Sequence, residues 1–253
     1  MRIATWNVNS LRVRLPHLLD WLREAQPDVA CLQETKTEDA NFPVAELRAA
    51  GYAAVYCGQK AYNGVAILSR TPVSEVAHGI PDFVDDPKRC IAGTVNAIRI
   101  VCLYAPNGEA PGTEKYAYKL RWYEALERWM AKAIRETSNL AVLGDMNVAP
   151  EDRDVHDPKR WAGKIHVSEP ERLALRKVVD VGFADAFRLF PQPEKSFSWW
   201  DYRLRAFERG WGLRIDHILL APALAAKCSS CTIDVEPRKR ERPSDHAPVM
   251  AQI

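Results

Sequence analysis

Short apolar runs, each closed by a polar group, recur along this chain of 253 residues. Ile3-Ala4-Thr5-Trp6 leads into Asn7, Val29-Ala30-Cys31-Leu32-Gln33 into Glu34, Ile100-Val101-Cys102-Leu103 into Tyr104, and Ala141-Val142-Leu143-Gly144 into Asp145 and Asn147. Runs of this kind read as buried strands. Between the first two, Leu11, Leu15, Leu18, Leu19 and Leu22 recur at helical spacing and stop before Pro27-Asp28, which gives a β-α-β opening. Further strands are expected at about 52–57, 64–69, 73–78, 91–96 and 98–105, parted by Gly, Pro and Asn turns. A long helix is expected over about 116–136, then a strand at 140–144, an irregular basic loop over 148–166 and a helix from about Glu169 to Val181 capped by Ser168. Strands near 196–200, 214–220, 231–236 and 247–252 complete the pattern. Many strands with few intervening helices predict an α/β fold, with two sheets packed face to face and helices outside. No repeat, low-complexity tract or linker divides the chain, so one domain over 1–253 is expected.

Composition adds limits. A hydrophobic content of 47% suffices for a packed core, and neither a signal segment nor a run of membrane-spanning length is apparent. Cys31 and Cys102 fall inside apolar strand patterns, where cysteine acts as a small hydrophobe, so a reducing cytoplasm is expected. Cys228 and Cys231 form a lone C-x-x-C without partners at zinc spacing. Net charge is only +2, yet its distribution is uneven. Lys115, Lys119, Arg121, Arg128, Lys132 and Arg135 alternate with Tyr116, Tyr118, Trp122, Tyr123 and Trp129. Farther on, Arg203, Arg205, Arg209 and Arg214 lie among Trp199, Trp200, Tyr202 and Trp211. That mixture suits nucleic acid, although Leu120, Tyr123, Leu126, Met130 and Ile134 also give the first stretch an ordinary amphipathic stripe.

Acids, amides and a late Ser244-Asp245-His246 point to a divalent metal and a phosphate, not to a covalent nucleophile. Glu34 follows a run too apolar to leave a charge unpartnered; the partner is a metal ion or Lys36. Asn7 either holds that carboxylate or a metal's water, or caps the helix near Leu11. Asp145 and Asn147, two residues apart, point the same way if extended, as a general base or acid beside an amide donor; the alternative is an Asx turn. Asp216 and His246 are a candidate pair in which the carboxylate favours the protonated imidazole. Asp245 is a second metal candidate, whereas His217, amid strand residues, is read as a core histidine.

These residues resemble the exonuclease III and apurinic/apyrimidinic (AP) endonuclease family. The matching motifs are W-N-V-N at 6–9, L-Q-E-T-K at 32–36, G-Q-K at 58–60, N-G-V-A-I at 63–67, G-D-M-N at 144–147, G-L-R-I-D at 212–216 and P-S-D-H-A-P at 243–248. Each is weak alone, but they run in order over essentially the whole chain. The resemblance implies a four-layer α/β sandwich of the DNase I-like kind, with two mostly antiparallel or mixed sheets flanked by helices. It implies that Glu34, with Asn7 and Asp245, and with Asp145, Asn147 and His246 nearby, holds Mg²⁺ or Mn²⁺. Asp145 would prepare the water or protonate the leaving group, and Tyr104, Asn147 and His246, oriented by Asp216, would surround the phosphate. Double-stranded DNA with abasic sites or blocked 3′ ends is the implied partner of a monomeric enzyme, with Lys115, Lys119, Arg121, His166, Trp199 and Leu213 as DNA contacts and Leu213 as a wedge.

Three positions depart from the pattern or vary within it. Ser10 stands where many relatives have glycine, and Asp157 where some have asparagine. His166 occupies a loop position at which some relatives carry a small residue that admits a flipped-out abasic sugar, while others carry histidine and mainly trim 3′ ends. Two further readings compete with the nuclease: a phosphoinositide or sphingolipid phosphodiesterase, which the aromatic and basic stretch 199–214 opposes, and a catalytically inactive DNA-binding protein, which the full set of acids opposes.

Overall fold

The computed structural model describes residues 1–84 and 88–253. The chain opens with β1 (Arg2–Asn7), α1 (Leu11–Ala25), β2 (Val29–Gln33), α2 (Val44–Ala49), β3 (Ala53–Cys57) and β4 (Val65–Ser69). It continues with β5 (Ser74–His78), β6 (Cys90–Val95), β7 (Ile98–Tyr104), α3 (Glu114–Glu136) and β8 (Leu140–Asp145). Then come α4 (Pro158–Trp161), α5 (Glu169–Asp180), β9 (Ala184–Asp185), β10 (Trp199–Trp200), β11 (Gly212–Leu213), β12 (Asp216–Leu220), α6 (Pro222–Ala225), β13 (Ser230–Ile233) and β14 (Val249–Gln252).

Two six-stranded sheets result, ordered β13-β14-β1-β2-β4-β3 and β5-β6-β7-β8-β12-β9, with β10 and β11 as a separate short pair. Both are mixed: β1 pairs in parallel with β2 and β7 with β8, while the other ladders are antiparallel. Strand alternation splits the apolar residues into layers. Ile3, Val29, Cys31 and Ile67 of the first sheet meet Ile100, Cys102, Leu143 and Ile218 of the second. The opposite faces bury Ala4, Trp6 and Leu32 against Leu18, Trp21 and Leu22 of α1, and Val101, Leu103 and Val142 against Trp122, Leu126 and Met130 of α3. The result is helix, sheet, sheet, helix. Each parallel strand pair is joined by the helix that covers its outer face, as right-handed crossovers favour.

The expected strands and long helices are present with shifted ends. The strands expected near 196–200 and 231–236 are shorter, at Trp199–Trp200 and Ser230–Ile233. The loop expected over 148–166 contains α4, started by Pro158 at its first position and by Asp157, whose carboxylate accepts from the Arg160 amide at 3.0 Å. Ser168 does precede α5, and Glu171 reaches back to accept from its amide at 3.3 Å, the reciprocal half of a capping box. No helix among the described residues is long and apolar enough to cross a membrane.

Candidate active site

The sandwich brings the polar ends of its central strands to one edge. Asn7 closes β1, Glu34 follows β2, Tyr104 closes β7 and Asp145 closes β8. Asp216 begins the antiparallel β12 directly opposite Asp145, and His246 precedes β14, so both lie at that same end. A side chain at position 144 would put its Cβ 1.9 Å from the Leu103 carbonyl oxygen, so glycine is what lets β8 pass this close to β7 and deliver Asp145.

The Asn7 amide nitrogen donates to Glu34 Oε1 and to Asp145 Oδ2, both at 2.9 Å, while its Oδ1 accepts from the Asn9 amide. Asn7 therefore holds two carboxylates and turns no oxygen to a metal. The Ser244 hydroxyl donates to the Asn7 carbonyl at 2.7 Å, and the Trp6 indole donates to the His246 carbonyl at 3.1 Å, which fastens the Ser244–His246 segment to β1. His246 Nδ1 lies 2.9 Å from Asp216 Oδ2 and its Nε2 lies 3.7 Å from Asp145 Oδ2. Burial pulls the imidazole pKa down, but the Asp216 and Asp145 carboxylates outweigh it and push it up to about 10. Asp145 itself is pushed up to about 7, chiefly by burial, against the attraction of His246. Burial also opposes the charge on Glu34, yet Lys36, 2.7 Å from Oε2, and the Asn7 amide hold that carboxyl below its usual range.

Glu34, Asp145 and His246 bring one donor atom each within 4.8 Å of one another. The chemistry of this set fits a hard divalent ion through its two carboxylates. An imidazole held protonated offers no lone pair, so His246 fits the phosphate better than the metal. Asp245 stands apart from the trio: its carboxylate accepts from the Asn9 amide at 2.9 Å and from the Trp199 indole at 3.0 Å. Asn147 is not in extended geometry beside Asp145. Its φ is 51° and its amide N–H donates to Asp145 Oδ1 at 2.9 Å, which is the Asx turn; its side-chain nitrogen donates to the Ala105 carbonyl at 2.9 Å, leaving one amide hydrogen. The Tyr104 hydroxyl meets Glu34 and its ring carries Arg89 at 4.9 Å.

The expected DNA contacts separate into three kinds. Lys115 and Arg121 are exposed on α3, each beside a carboxylate, Glu109 and Glu114. Lys119 is corrected: it is 0% exposed, its ammonium donating to the Asn107 carbonyl at 3.1 Å, the Asn147 carbonyl at 2.8 Å and Glu171. It lies on the apolar stripe of α3 with Tyr116, Trp122 and Tyr123, so it faces inward and meets no DNA. Leu213 is also corrected, being 0% exposed among Val155, Val167, Ile215 and Trp199, where it cannot wedge into a duplex.

His166 is neither a surface residue nor mobile. Only 5% exposed and with φ 70°, it takes a Glu171 oxygen on its amide at 3.0 Å and donates from Nδ1 to the Asn147 carbonyl at 2.7 Å. Burial, then Lys119, push its pKa down to about 3, so it stays neutral, and its ring lies 6.1 Å from that of Trp199. His217 is a core histidine, between Arg214 at 3.0 Å and the Val148 carbonyl at 3.0 Å. Asn9 escaped the sequence reading. It joins Lys36 (2.6 Å) to Asp245, and its only sequence signal is an N-x-N whose second Asn takes a left-handed φ of 41°.

Two packed mixed sheets, helices on both outer faces and a buried acid–imidazole cluster at one end define a hydrolase of the metal-dependent phosphoesterase kind. The chain belongs to the endonuclease/exonuclease/phosphatase family, whose sequence profile matches residues 4–246. It is 36% identical over 267 aligned residues to exodeoxyribonuclease III of Haemophilus influenzae, with 100% of each chain covered. Among solved structures it is similar to a 3′ phosphatase from Neisseria bound to a product DNA hairpin, with 43% identity, a TM-score of 0.98, and 100% of this chain and 99% of that one covered. An AP endonuclease from Archaeoglobus fulgidus matches with 41% identity and a TM-score of 0.95 at the same coverage.

Proposed function

We propose that this protein is a Mg²⁺- or Mn²⁺-dependent DNA repair phosphodiesterase that trims nucleotides and blocking groups from 3′ ends in duplex DNA, leaving a 3′-hydroxyl and a 5′-phosphate, with abasic-site incision the weaker activity. The convergence of Glu34, Asp145, Asp216 and His246 on one edge of the sandwich carries this reading. Glu34 and Asp145 are the residues that would hold the ion, which when bound neutralises charge on the phosphate and on the departing 3′ oxygen. Asp145 takes a proton from the attacking water or returns one to the leaving oxygen; with its pKa near 7 both forms exist at neutral pH. His246, its charge sustained by Asp216, offers Nε2–H to a phosphate oxygen, and the free amide hydrogen of Asn147 and the Tyr104 hydroxyl offer two more donors as charge builds. Lys115, Arg121 and the basic loop after Trp199 lie where the flanking backbone would run. Six free cysteines, five of them buried, accord with the cytoplasm.

The preference for 3′ ends rests on His166. Its imidazole, fixed by Asn147 and Glu171 against Trp199, fills space that an extruded sugar would need. The test uses two labelled duplexes with Mg²⁺, one with an internal abasic-site analogue and one nicked with a blocked 3′ end. Rapid cleaning of the blocked end, slow abasic incision, and a rise of about tenfold in that incision for His166→Gly, equivalent to about 1.4 kcal/mol, are expected. Equal cutting of both duplexes with no response to His166→Gly would remove the histidine from specificity. No cutting of either duplex with any divalent ion would remove the function itself.

A further inference from the structure

A second cavity, of about 670 Å³, opens beside the site and is walled by rings. Trp161 stands edge-on to Trp199 with centroids 6.5 Å apart, and His156 runs nearly parallel to Trp211, at 18° and 6.2 Å. None of Asn7, Glu34, Asp145, His166, Asp216 or His246 lines it. What it shares with the catalytic edge is Trp199, whose indole nitrogen donates to Asp245 at 3.0 Å and whose backbone bridges to His246. The cavity therefore lies one ring away from the segment that carries the catalytic imidazole.

Its rim is cationic. Arg160 and Lys164 line it and have no carboxylate partner among the described residues, whereas Arg203, also at the rim, is held by Asp201. The volume falls within the range of small-ligand pockets, about 300–1,000 Å³. Flat aromatic walls with unpaired cations at the mouth match a nucleobase and its phosphate, because every base offers a face to stack and every phosphate a charge to neutralise.

We propose that this pocket holds an unpaired nucleobase of the bound DNA, one that has left the stack beside the scissile phosphate, with Arg160 and Lys164 on its backbone. The proposal rests on the phosphodiesterase reading and deepens it by naming the favoured substrate: 3′ ends whose terminal base is mismatched or frayed. Such a base costs least to unstack. The ring walls accept it whatever its identity, so the preference is for unpairing and not for sequence.

The experiment compares two nicked duplexes that differ only in whether the blocked 3′-terminal base is paired or mismatched. Wild type should prefer the mismatched end. Trp211→Ala should cleave it about tenfold more slowly, as expected for one lost stack, while cleaving the paired end at the wild-type rate. Trp211→Phe should keep most of the preference, and Arg160→Gln should weaken binding of the mismatched duplex and lower its salt slope by about one. Equal wild-type rates on both duplexes, or a uniform fall in Trp211→Ala that Trp211→Phe shares, would overturn the proposal. So would a free deoxynucleoside monophosphate that competes as well as mismatched DNA, since the cavity would then be a product site. Failure to cleave either duplex would strike the phosphodiesterase reading instead, and fluorescence of 2-aminopurine at the mismatched position would still report whether the base enters the pocket.

Discussion

Replacing Lys119 with Met separates two accounts of a lysine in a basic, aromatic stretch. Lys119 and Glu171 are both 0% exposed, and the ammonium is the donor for two loop carbonyls, Asn107 at 3.1 Å and Asn147 at 2.8 Å. Methionine matches the volume but leaves Glu171 a buried charge without its cation, a loss of about 3–5 kcal/mol for a broken buried pair. Glu171 keeps donors from the His166 amide and from Ser168, and the Asn147 carbonyl keeps His166 Nδ1, so the lower part of that range, about 3 kcal/mol, is expected. In a chain of this length that lowers Tm by roughly 6–12 °C. Urea unfolding of Lys119→Met, Glu171→Gln and the double variant is the assay, with the double variant more stable than Lys119→Met because the stranded charge is gone. DNA affinity should change little, and the slope of log affinity against log salt should not move. Unchanged stability together with a slope reduced by about one would mean that Lys119 meets a phosphate, and would refute the argument from burial.

Leu213→Ala should behave as a core truncation, losing about 3 kcal/mol of stability with proportionate cleavage of damaged and undamaged ends; full stability with selective loss on damaged ends would restore the wedge. The buried Asp154 supplies a pH signature. Burial opposes its charge, but Arg214 at 2.7 Å, and Arg188, hold its pKa below the ordinary carboxylate value of about 3.9. A depressed native pKa means that its contribution is complete above about pH 3.9 and disappears as pH falls through the native value, so urea midpoints of Asp154→Asn should be lower at neutral pH and fall less steeply in acid. Parallel wild-type and variant curves would show that Asp154 carries no linked proton.

The two sheets were legible because central strands such as Val29–Gln33 and Leu140–Asp145 are buried along their whole length and so read as unbroken apolar runs. The six-residue α2, four-residue α4 and two-residue β9 were not, since none spans enough turns or alternations to show a period. The Asp216–His246 pair was legible from its two motifs. The burial of Lys119 was written in the stripe of Tyr116, Trp122 and Tyr123, three and four positions away, but its charge was read ahead of its place on the helix. The Trp199–Asp245 bond had no sequence signal, because 46 residues separate partners that only the closing of β14 onto β1 brings together.

The site straddles the seam between the sheets, and this bears on how it can work. Asn7 and Glu34 come from the first sheet and Asp145 and Asp216 from the second, so the Asn7 amide that touches both Glu34 and Asp145 is a bond across layers. The distance between the metal-holding carboxylates is then set by the inter-sheet packing of residues such as Cys31, Cys102 and Leu143, none of which touches substrate. A densely packed interior transmits small volume changes instead of absorbing them. Catalysis that depends on donors fixed in advance tolerates little movement of those donors. Inter-sheet core residues therefore belong to the specificity of the chemistry as well as to stability, whereas the outer layers under α1 and α3 bear mainly on stability.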